Sequence, residues 1–256
     1  MNTESHIRKL NDLFSLQKFD EAYIDYAELD MHISFLKQLA VVENSSISVF
    51  DIYRQKYVFA QTRFLSLLGI DLDEMMKHGP QVFYSIIHPD DAPLLLETHY
   101  LFTEFILKLD IAERKDYKVI NDFRIRDNKG NYLRAVKQLV PLELDKKGNL
   151  WLVLVLYDLL PGNSDFTKFQ RKIVNIKSGE LYYFPADAKA EKKQNLTKRE
   201  IEILGLLAKG MASKKIADEL FLSVNTVNNH RRSILEKTNS ENTAMAIQYG
   251  ASLGLL

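Results

Sequence analysis

Residues 223–237 have the sequence Ser-Val-Asn-Thr-Val-Asn-Asn-His-Arg-Arg-Ser-Ile-Leu-Glu-Lys, and this stretch decides the fold of the C-terminal part of the chain. Ser223 is a natural N-cap, because its hydroxyl can accept from the free backbone N–H groups of the first helical turn. One side of the helix that follows carries apolar residues and a histidine at helical spacing, namely Val227, His230, Ile234 and Leu235. The pattern predicts a helix that packs this side into a core.

A second side of the same helix carries three amides and a guanidinium, at Asn225, Asn228, Asn229 and Arg232. In the major groove of DNA, Asn pairs bidentately with adenine and Arg with guanine. The stripe therefore predicts contacts with base edges, at operators rich in A·T pairs. An ordinary solvated polar face is the alternative interpretation.

Four cationic residues lie on or near this helix, at Lys214, Lys215, Arg231 and Lys237. We expect them to contact phosphates, which supply salt-sensitive affinity without sequence information. His230 is expected to be a hydrogen-bonded core or phosphate-side residue rather than a metal ligand.

Three further short helices are predicted around residues 223–237. Thr197 and Glu200 form a capping box at the start of the first, which Gly210 ends. Ser213 is expected to cap the second, and a fourth spans about residues 242–253, after Asn239 in a left-handed conformation. Two short helices joined by a tight turn form a helix-turn-helix, which places its second helix in the major groove.

The C-terminal residues 196–256 resemble the LuxR-type (NarL/FixJ) DNA-binding domain. The matching positions are Leu196 to Glu200, Gly210, Lys215-Ile216-Ala217, Leu220, Ser223, Thr226-Val227, His230, Ile234, Lys237 and Gly254-Leu255-Leu256. The resemblance implies a four-helix unit that binds DNA as a dimer, often through the fourth helix. It also implies that Asn228, Asn229 and Arg232 face the groove and that Thr226 meets a phosphate.

Three positions depart from the family pattern. Lys215 stands where Glu is usual, so that an ion pair within the domain is missing or a phosphate contact is gained. Thr238-Asn239 replaces Leu-Gly, and Asn242 replaces a frequent Arg. These departures put local packing and one backbone contact in doubt, and leave the fold unchanged.

The rest of the chain divides into a helical leader at residues 1–45, a sensor domain at 46–160 and a linker with a small β-hairpin at 161–195. The leader is expected to break near residues 18–20, and either to pack on its own domain or to pair with a second copy. Strands at 47–53, 56–60, 117–127, 131–144 and 150–158 and helices at 62–68, 71–77 and 91–108 predict one antiparallel sheet with helices over one face.

Residues 46–158 resemble a PAS domain. The supporting segments are His88-Pro89-Asp90-Asp91 before a helix, Phe123 to Arg126 followed by Asn128 to Tyr132, and the strand end at Leu156 to Leu159. The resemblance implies a shell of sheet and helices that encloses a ligand or serves as a dimerisation surface. The predicted fold class is therefore α+β, with a PAS-like domain followed by an all-α helix-turn-helix domain.

Composition excludes several classes of protein. Hydrophobic residues make up 46% and charged residues 27%, which is typical of a globular chain, and cysteine is absent, which excludes disulfides and thiolate chemistry.

Residues 1–165 hold 19 Lys and Arg against 25 Asp and Glu, and residues 166–256 hold 15 against 9. The basic C-terminal part favours nucleic-acid binding. Without an apolar N-terminal segment or a long apolar run, a cytoplasmic protein without membrane contact is expected.

Histidine and aspartate side chains of the N-terminal part raise two alternatives, a metal or acid–base site and a haem site. His88, Asp90 and Asp91 could bind a metal or act as an acid–base cluster, but a His-Pro turn followed by an Asp N-cap at Asp91 explains them. Haem ligation by His78 or His99 is the other alternative. The chain has no glycine-rich phosphate loop, no His-Glu-x-x-His and no Gly-x-Ser-x-Gly. Neither an enzyme nor a metal site is therefore expected, and no receiver domain is visible.

The function predicted from these patterns is sequence-specific DNA-binding transcriptional regulation, controlled by a PAS-like domain that senses a small ligand or a partner. The expected partner is double-stranded DNA, bound by a homodimer, with RNA polymerase as a further candidate. No resident cofactor is expected, although an unidentified small ligand can occupy the PAS-like domain. The alternative is an adaptor that dimerises through the PAS-like domain and has no specific DNA binding.

Overall fold

The computed structural model describes residues 3–42, 46–62, 64–160, 169–182, 184, 196–238, 240–252 and 255–256. The chain forms two compact units, the first running to residue 159 and resuming with the segment that ends at 182, and the second comprising the described residues from 184 onward. Both parts of the expected linker that lacked predicted secondary structure, residues 161–165 and 185–195, lie outside the described residues.

The first unit begins with two helices, α1 (Thr3–Leu16) and α2 (Tyr26–Val42). A short 3₁₀ turn at Glu21–Tyr23 separates them, and the Asp20 carboxylate caps this turn by accepting from the backbone N–H of Ala22. The predicted helical leader with a break near residues 18–20 is therefore confirmed, and both helices pack within their own unit.

Seven strands form one sheet in the order β2-β1-β5-β4-β3-β6-β7. Their bounds are β1 Ser46–Asp51, β2 Lys56–Gln61, β3 Tyr117–Arg126, β4 Tyr132–Leu144, β5 Leu150–Leu160, β6 Gln170–Asn175 and β7 Leu181–Tyr182. β1 pairs antiparallel with β2 and β5, β3 with β4 and β6, and β6 with β7. Strands β1 to β5 lie close to their predicted bounds.

The hairpin predicted within the linker extends this sheet. β6 pairs with β3 along six residues, so β6 and β7 become the outer strands on that side. Arg171 of β6 also donates to the Glu97 carboxylate at 2.7 Å and to the Thr98 hydroxyl at 3.1 Å. A two-stranded hairpin is marginal alone, and these contacts give it the neighbour that it needs.

The β3–β4 and β4–β5 hairpins use the same five-residue loop chemistry. The Asp127 carboxylate accepts from the backbone N–H groups of Lys129 and Asn131, and the Asp145 carboxylate accepts in the same way from Lys147 and Asn149. The glycine in each loop has a positive φ, at +90° and +83°. Each loop therefore joins two antiparallel strands by a tight turn.

Four helices connect β2 to β3. They are α3 (Leu65–Leu68), α4 (Leu72–His78), α5 (Gln81–Tyr84) and α6 (Asp91–Lys108). α6 has its predicted bounds, α4 starts after its N-cap Asp71, and α5 was not predicted. α3 is shorter than the predicted helix at 62–68.

The prediction that Asp91 caps α6 is wrong. Asp91 is the first helical residue, and its buried carboxylate accepts from the Arg124 backbone N–H at 2.8 Å and from the Arg124 guanidinium at 2.7 and 3.0 Å. Asp90 precedes the helix without capping it through its side chain. The carboxylate prefers the guanidinium because a buried charge needs an opposite charge as well as hydrogen bonds. It thereby joins α6 to β3.

Helices cover both faces of the sheet, so the prediction of helices over one face is wrong. On one face α2 packs Leu29 and Leu36 into a cluster with Ile47, Val49 and Trp151. On the other face α1 packs against α6. The reason is that the central strand β5 is apolar on both faces over residues 150–156, since alternate residues point to opposite sides of a sheet.

The described residues of the second unit contain four helices, α7 (Lys198–Ala208), α8 (Ser213–Glu219), α9 (Val224–Thr238) and α10 (Thr243–Ser252). The predicted capping box is present, since Thr197 accepts from the backbone N–H of Glu200 and Glu200 accepts from that of Thr197. Ser223 caps α9 as predicted, by accepting from the backbone N–H of Thr226. Asn239 lies outside the described residues.

Ser213 does not cap α8, against the prediction. Ala212 is the N-cap residue, and the Ser213 hydroxyl instead accepts a hydrogen bond from Arg231.

An α+β chain results, with a mixed sheet-and-helix unit followed by an all-helical one, and this confirms the predicted fold class. Among the described residues, no helix is both long and apolar enough to cross a bilayer.

Candidate nucleic-acid interface and ligand cavity

One side of α9 is anchored in the core of the second unit. Val227 and Ile234 are fully buried there, in a cluster with Ile203, Leu204 and Ile216 from α7 and α8. Because burying an aliphatic side chain contributes about 1.5–3 kcal/mol, these contacts fix how α9 is rotated about its axis.

The rotation leaves the predicted base-reading stripe on the surface. Asn225, Asn228, Asn229 and Arg232 are all exposed. Thr226, next to them, is half-buried, and its hydroxyl lies 2.8 Å from that of the cap residue Ser223. The structure thus brings the four predicted base-contacting residues together on one face of one helix.

The four cations that were expected to meet phosphates divide into two kinds. Lys214 and Lys215 of α8 are exposed and project from the helix that precedes the turn. Arg231 instead donates to the Ser213 hydroxyl at 2.7 Å and to the Thr243 hydroxyl at 3.1 Å. It therefore ties α9 to the starts of α8 and α10, and its expected phosphate contact stays a prediction.

Lys237 is the other internally bound cation. Its ammonium donates to both oxygens of the Glu200 carboxylate, at 2.7 and 2.9 Å. Burial acts to raise the pKa of Glu200, but the hydrogen bonds from Lys237, Ser233 and Thr197 outweigh it and hold that pKa at about 2. Lys237 thus joins the end of α9 to the start of α7, and its expected phosphate contact stays a prediction.

The departures from the family pattern are accommodated locally. Thr238 is buried, and its hydroxyl donates to the Ile234 carbonyl at 2.8 Å and approaches the Ser240 hydroxyl at 3.0 Å. Asn242 caps α10 by accepting from the backbone N–H of Met245.

Phe221 is a surface feature of this unit that the sequence analysis did not single out. It lies in the turn between α8 and α9, has a positive φ of 55° and is 95% exposed. The available signal was its place between Leu220 and Leu222, which both pack against the core of this unit and so leave the side chain between them to solvent.

The first unit encloses a cavity of about 140 Å³ between the sheet, α1 and α6. Its lining is largely apolar, with contributions from Ile7, Leu10 and Phe14 of α1, Phe102 of α6, Phe50 and Ile52, Leu139, and Leu150, Val153 and Val155 of β5. Its polar lining consists of Asn11, Gln55, Tyr57, His78, Gln81, Tyr84, His99, Thr103 and Lys137.

Lys137 and His99 form a buried basic pair in this cavity. The Lys137 Nζ and the His99 Nε2 lie 3.3 Å apart and share a hydrogen bond. Burial lowers the pKa of Lys137 to about 7, and burial together with the charge of Lys137 holds the pKa of His99 well below its usual value. His78, the other haem candidate, also lines the cavity.

Sequence analysis did not single out Lys137. The signal was its position between Ala135 and Leu139, two residues away on either side, which places it on the inward face of β4.

The His88, Asp90 and Asp91 segment has a structural role in the first unit. His88 Nδ1 accepts from the backbone N–H of Asp90, and Asp91 pairs with Arg124. Within the described ranges, no group of three or more His, Asp or Glu side chains is arranged to hold a metal ion.

Comparison with known proteins identifies the second unit. The model of the luxR family of bacterial regulatory proteins (GerE) matches residues 194–249. The oxygen regulatory protein NreC of Staphylococcus carnosus is 44% identical over 61 residues, which are 24% of this chain and 28% of the relative. The chain thus spans about 28% of the length of the curated relatives it matches.

Solved structures with similarity to more of the chain are more distant. The crystal structure of the phage VqmA–DPO complex is 17% identical in sequence and has a TM-score of 0.34. The aligned residues cover 90% of this chain and 92% of the VqmA chain. The PAS-B domain of Drosophila melanogaster Cycle with bound ethylene glycol is 15% identical, covers 44% of this chain and 98% of its own, and has a TM-score of 0.33.

In its antiparallel sheet with helices inserted between β2 and β3, the first unit resembles PAS folds. The family match spans α7, α8, α9 and most of α10, and these helices carry the capping box and the exposed stripe. Residues 194–249 of the second unit therefore form a helix-turn-helix region of the luxR (GerE) type.

Proposed function

We propose that this protein is a sequence-specific transcriptional regulator whose PAS-like unit senses a small ligand. The observation that carries the DNA-binding half of this proposal is the exposed stripe Asn225, Asn228, Asn229 and Arg232 on a helix whose other side is locked into a core. A domain has no need of amides and a guanidinium in this arrangement for its own stability.

The stripe supplies the donors and acceptors that base edges require. Asn can donate to and accept from adenine in the major groove, and Arg can donate twice to guanine. Since the core holds α9 in one orientation, the backbone that carries these side chains needs little further ordering when DNA binds. We therefore assign base reading to Asn225, Asn228, Asn229 and Arg232.

Phosphate contacts are assigned to Lys214, Lys215 and Thr226. The two lysines are exposed on α8, and Thr226 lies in the first turn of α9, where free backbone N–H groups and the helix dipole favour an anion. Arg231 and Lys237 are assigned a stabilising role instead, because their donors are engaged inside the domain.

A homodimer is part of the proposal. The outward side of α2 exposes Met31 and Phe35, which lie one turn apart, opposite the buried Leu29 and Leu36. Exposed apolar side chains on a helix suit pairing with a second copy. Two copies would place two recognition helices on a palindromic site.

Sensing is assigned to the cavity of the first unit. Because α1 contributes Ile7, Leu10 and Phe14 to the cavity wall, a ligand there would stabilise the docked arrangement of α1. A ligand can shift such an equilibrium only by its differential affinity for the two arrangements. RNA polymerase remains a candidate partner of the DNA-bound regulator.

Selection from random duplex DNA tests the DNA-binding half. We expect the full chain to enrich a defined sequence, and the triple variant Asn228→Ala, Asn229→Ala, Arg232→Ala to lose this preference, at about 1–3 kcal/mol for each good bidentate contact. Lys209→Ala is the matched control, since it removes an exposed cation from the end of α7 and should enrich the same sequence as the wild type.

Two results would count against the proposal. Equal sequence preference in the triple variant would place base reading elsewhere. The absence of any enriched sequence with the wild type would favour the adaptor alternative, in which the two units bind other proteins.

A further inference from the structure

The cavity in the PAS-like unit has a one-sided electrostatic character. Among the described residues that line it, Lys137, His78 and His99 are basic and none is Asp or Glu. His78 has a carboxylate partner outside the lining, Glu74 at 3.2 Å, so the basic character without an acidic partner lies at Lys137 and His99. A buried cation without an acidic partner is costly, because an apolar environment cannot replace the water that it loses. The cavity is therefore complementary to an anion.

The Lys137 ammonium has hydrogen-bonding capacity that the described part of the chain leaves unused. An ammonium has three N–H donors. One of these donors can be engaged by His99 Nε2, which lies 3.3 Å from Nζ. The centroid of the Tyr157 ring lies 5.4 Å from Nζ and is a weaker cation–π partner. A ligand oxygen that entered the cavity would meet a donor directed at it.

Asn121 provides a second, independent sign of a missing polar partner. It is fully buried on β3 directly opposite Lys137 of β4, so the two side chains lie on the same face of the sheet. Neither atom of its amide has a hydrogen-bond partner among the described residues. Buried side-chain amides are nearly always hydrogen-bonded, so Asn121, which lies beside Lys137 behind the cavity lining, is a second buried polar group that lacks a partner.

The size and the walls of the cavity limit the ligand. A cavity of about 150 Å³ lined by Leu, Ile and Phe is known to bind benzene, and this one has about 140 Å³. Phe50, Phe102 and Val153 line it, so the body of the ligand should be apolar and about as large as one ring.

We propose that this cavity binds a small monocarboxylic acid with an apolar body, whose carboxylate accepts a hydrogen bond from the Lys137 ammonium beside His99. The inference rests on the proposed sensing function and specifies the chemical class of ligand. The apolar body packs against α1, α6 and β5, and the carboxylate supplies the negative charge that the lining lacks.

Proton uptake is a signature of this binding mode. Near pH 8 most Lys137 side chains are neutral, because burial lowers the pKa of Lys137 to about 7. A bound carboxylate stabilises the ammonium, so binding should take up a proton. His99, whose pKa is lowered, and the buried Tyr57, Tyr84 and Tyr157, whose pKa values are raised, stay neutral at this pH.

Calorimetric titration of the full chain with benzoate tests the proposal. We expect benzoate to bind at pH 8 with the uptake of up to one proton, measured from titrations in Tris and in phosphate. Benzamide, which has the same ring without the charge, should bind about 10- to 100-fold more weakly and without proton uptake, since a charge-assisted hydrogen bond contributes about 1.5–3 kcal/mol.

Lys137→Met keeps the length of the side chain and removes its charge. It should weaken benzoate binding about 10- to 100-fold and abolish proton uptake, whereas Lys146→Met, an exposed residue in the β4–β5 turn, should change neither. Near-ultraviolet circular dichroism of Trp151 reports whether the variant cores are intact.

Three results would overturn the proposal: no binding of benzoate at millimolar concentration, equal binding by Lys137→Met, or equal affinity for benzoate and benzamide without proton uptake in the wild type. The last comparison needs no variant, so it decides the matter even if Lys137→Met does not fold. Continued enrichment of a DNA sequence alongside such a result would reject the ligand class and leave the proposed DNA binding standing.

Discussion

The Lys237 ammonium donates to both oxygens of the Glu200 carboxylate, at 2.7 and 2.9 Å, and so joins the first turn of α7 to the last turn of α9. Glu200 also closes the capping box with Thr197. One buried carboxylate therefore holds the start of the first helix of the domain and the end of the recognition helix together.

Replacing Lys237 should destabilise the second unit. In Lys237→Met the Glu200 carboxylate loses its charged donor while it stays buried, and we expect a cost of about 1.5–3 kcal/mol. Hydrogen exchange of the α7 and α9 amides measures this locally. Lys214→Met, which changes an exposed lysine of α8, should stay within about 0.5 kcal/mol of the wild type. Equal effects of the two variants would contradict the structural role of Lys237.

Acid should weaken the second unit through Glu200. The pKa of Glu200 is about 2 in the folded protein, below its ordinary value of 4.5, so the unfolded chain takes up the proton first. The stabilisation is therefore complete above about pH 4.5 and is lost as the pH falls towards 2. Hydrogen exchange at several pH values should show a smaller loss of protection in Glu200→Gln than in the wild type. A loss of equal size would assign the acid sensitivity to other carboxylates.

Salt dependence of DNA binding should separate the two kinds of cation. Lys214→Ala and Lys215→Ala should each reduce the slope of log K against log salt concentration by about 1, because each phosphate contact releases a counterion. Arg231→Ala should leave that slope nearly unchanged and lower the stability of the domain, since its guanidinium binds Ser213 and Thr243. Fluorescence anisotropy at four salt concentrations provides the slopes. If Arg231→Ala reduced the slope of log K against log salt concentration by a full unit, Arg231 would be a phosphate contact.

Two helical glycines of the second unit should respond to alanine in opposite directions. A Cβ at Gly250 would lie 2.8 Å from the Leu204 Cδ2, and Leu204 is fully buried and cannot move freely. Gly250→Ala should therefore destabilise the domain by about 1–3 kcal/mol. A Cβ at Gly205 meets only Leu256 Cδ2, at 3.9 Å. Gly205→Ala should stabilise the domain by up to about 1 kcal/mol, from helix propensity. Urea denaturation followed through helical circular dichroism checks both, and stabilisation by both would refute the packing argument.

Asp91 and Asp90 should differ sharply although they are neighbours. Asp91→Ala leaves the Arg124 guanidinium without its buried carboxylate and should cost about 3–5 kcal/mol in the first unit. The Asp90 side chain is 80% exposed, and its nearest guanidinium nitrogen is 3.8 Å away, so Asp90→Ala should cost less than about 1 kcal/mol. Unfolding followed through the fluorescence of Trp151 measures both. If Asp91→Ala were as mild as Asp90→Ala, the buried pair would not be a main connection between α6 and β3.

Local chemistry made much of this fold predictable. Apolar spacing in α6 and α9, the capping box at Thr197 and the Asp-x-x-Gly-Asn hairpin loops act within a few residues of chain, so their outcome is contained in the sequence around them. For the same reason the exposed stripe of α9 was correctly placed on one side of a helix opposite Val227 and Ile234.

Three features depended on residues distant in the chain. Asp91 and Ser213 are ordinary cap residues by type, yet each binds an arginine that only the fold brings near, Arg124 and Arg231. Lys237 resembles a surface cation until Glu200, 37 residues earlier, is placed beside it. Whether such a side chain caps its own helix or binds a distant charged residue depends on the tertiary fold. The spacing of residues in the sequence does not show it.

By itself, the sequence determined where the helices and hairpins form, which side of α9 is apolar, and that its other side carries the chemistry of base recognition. Only the tertiary structure decided which of the predicted cations remain available for phosphates, that α2 covers the second face of the sheet, and that Lys137 and His99 meet in a cavity without a carboxylate. The physical reason is range: backbone hydrogen bonds and side-chain periodicity act over a turn or two, whereas burial and ion pairing depend on which distant segments share the same space.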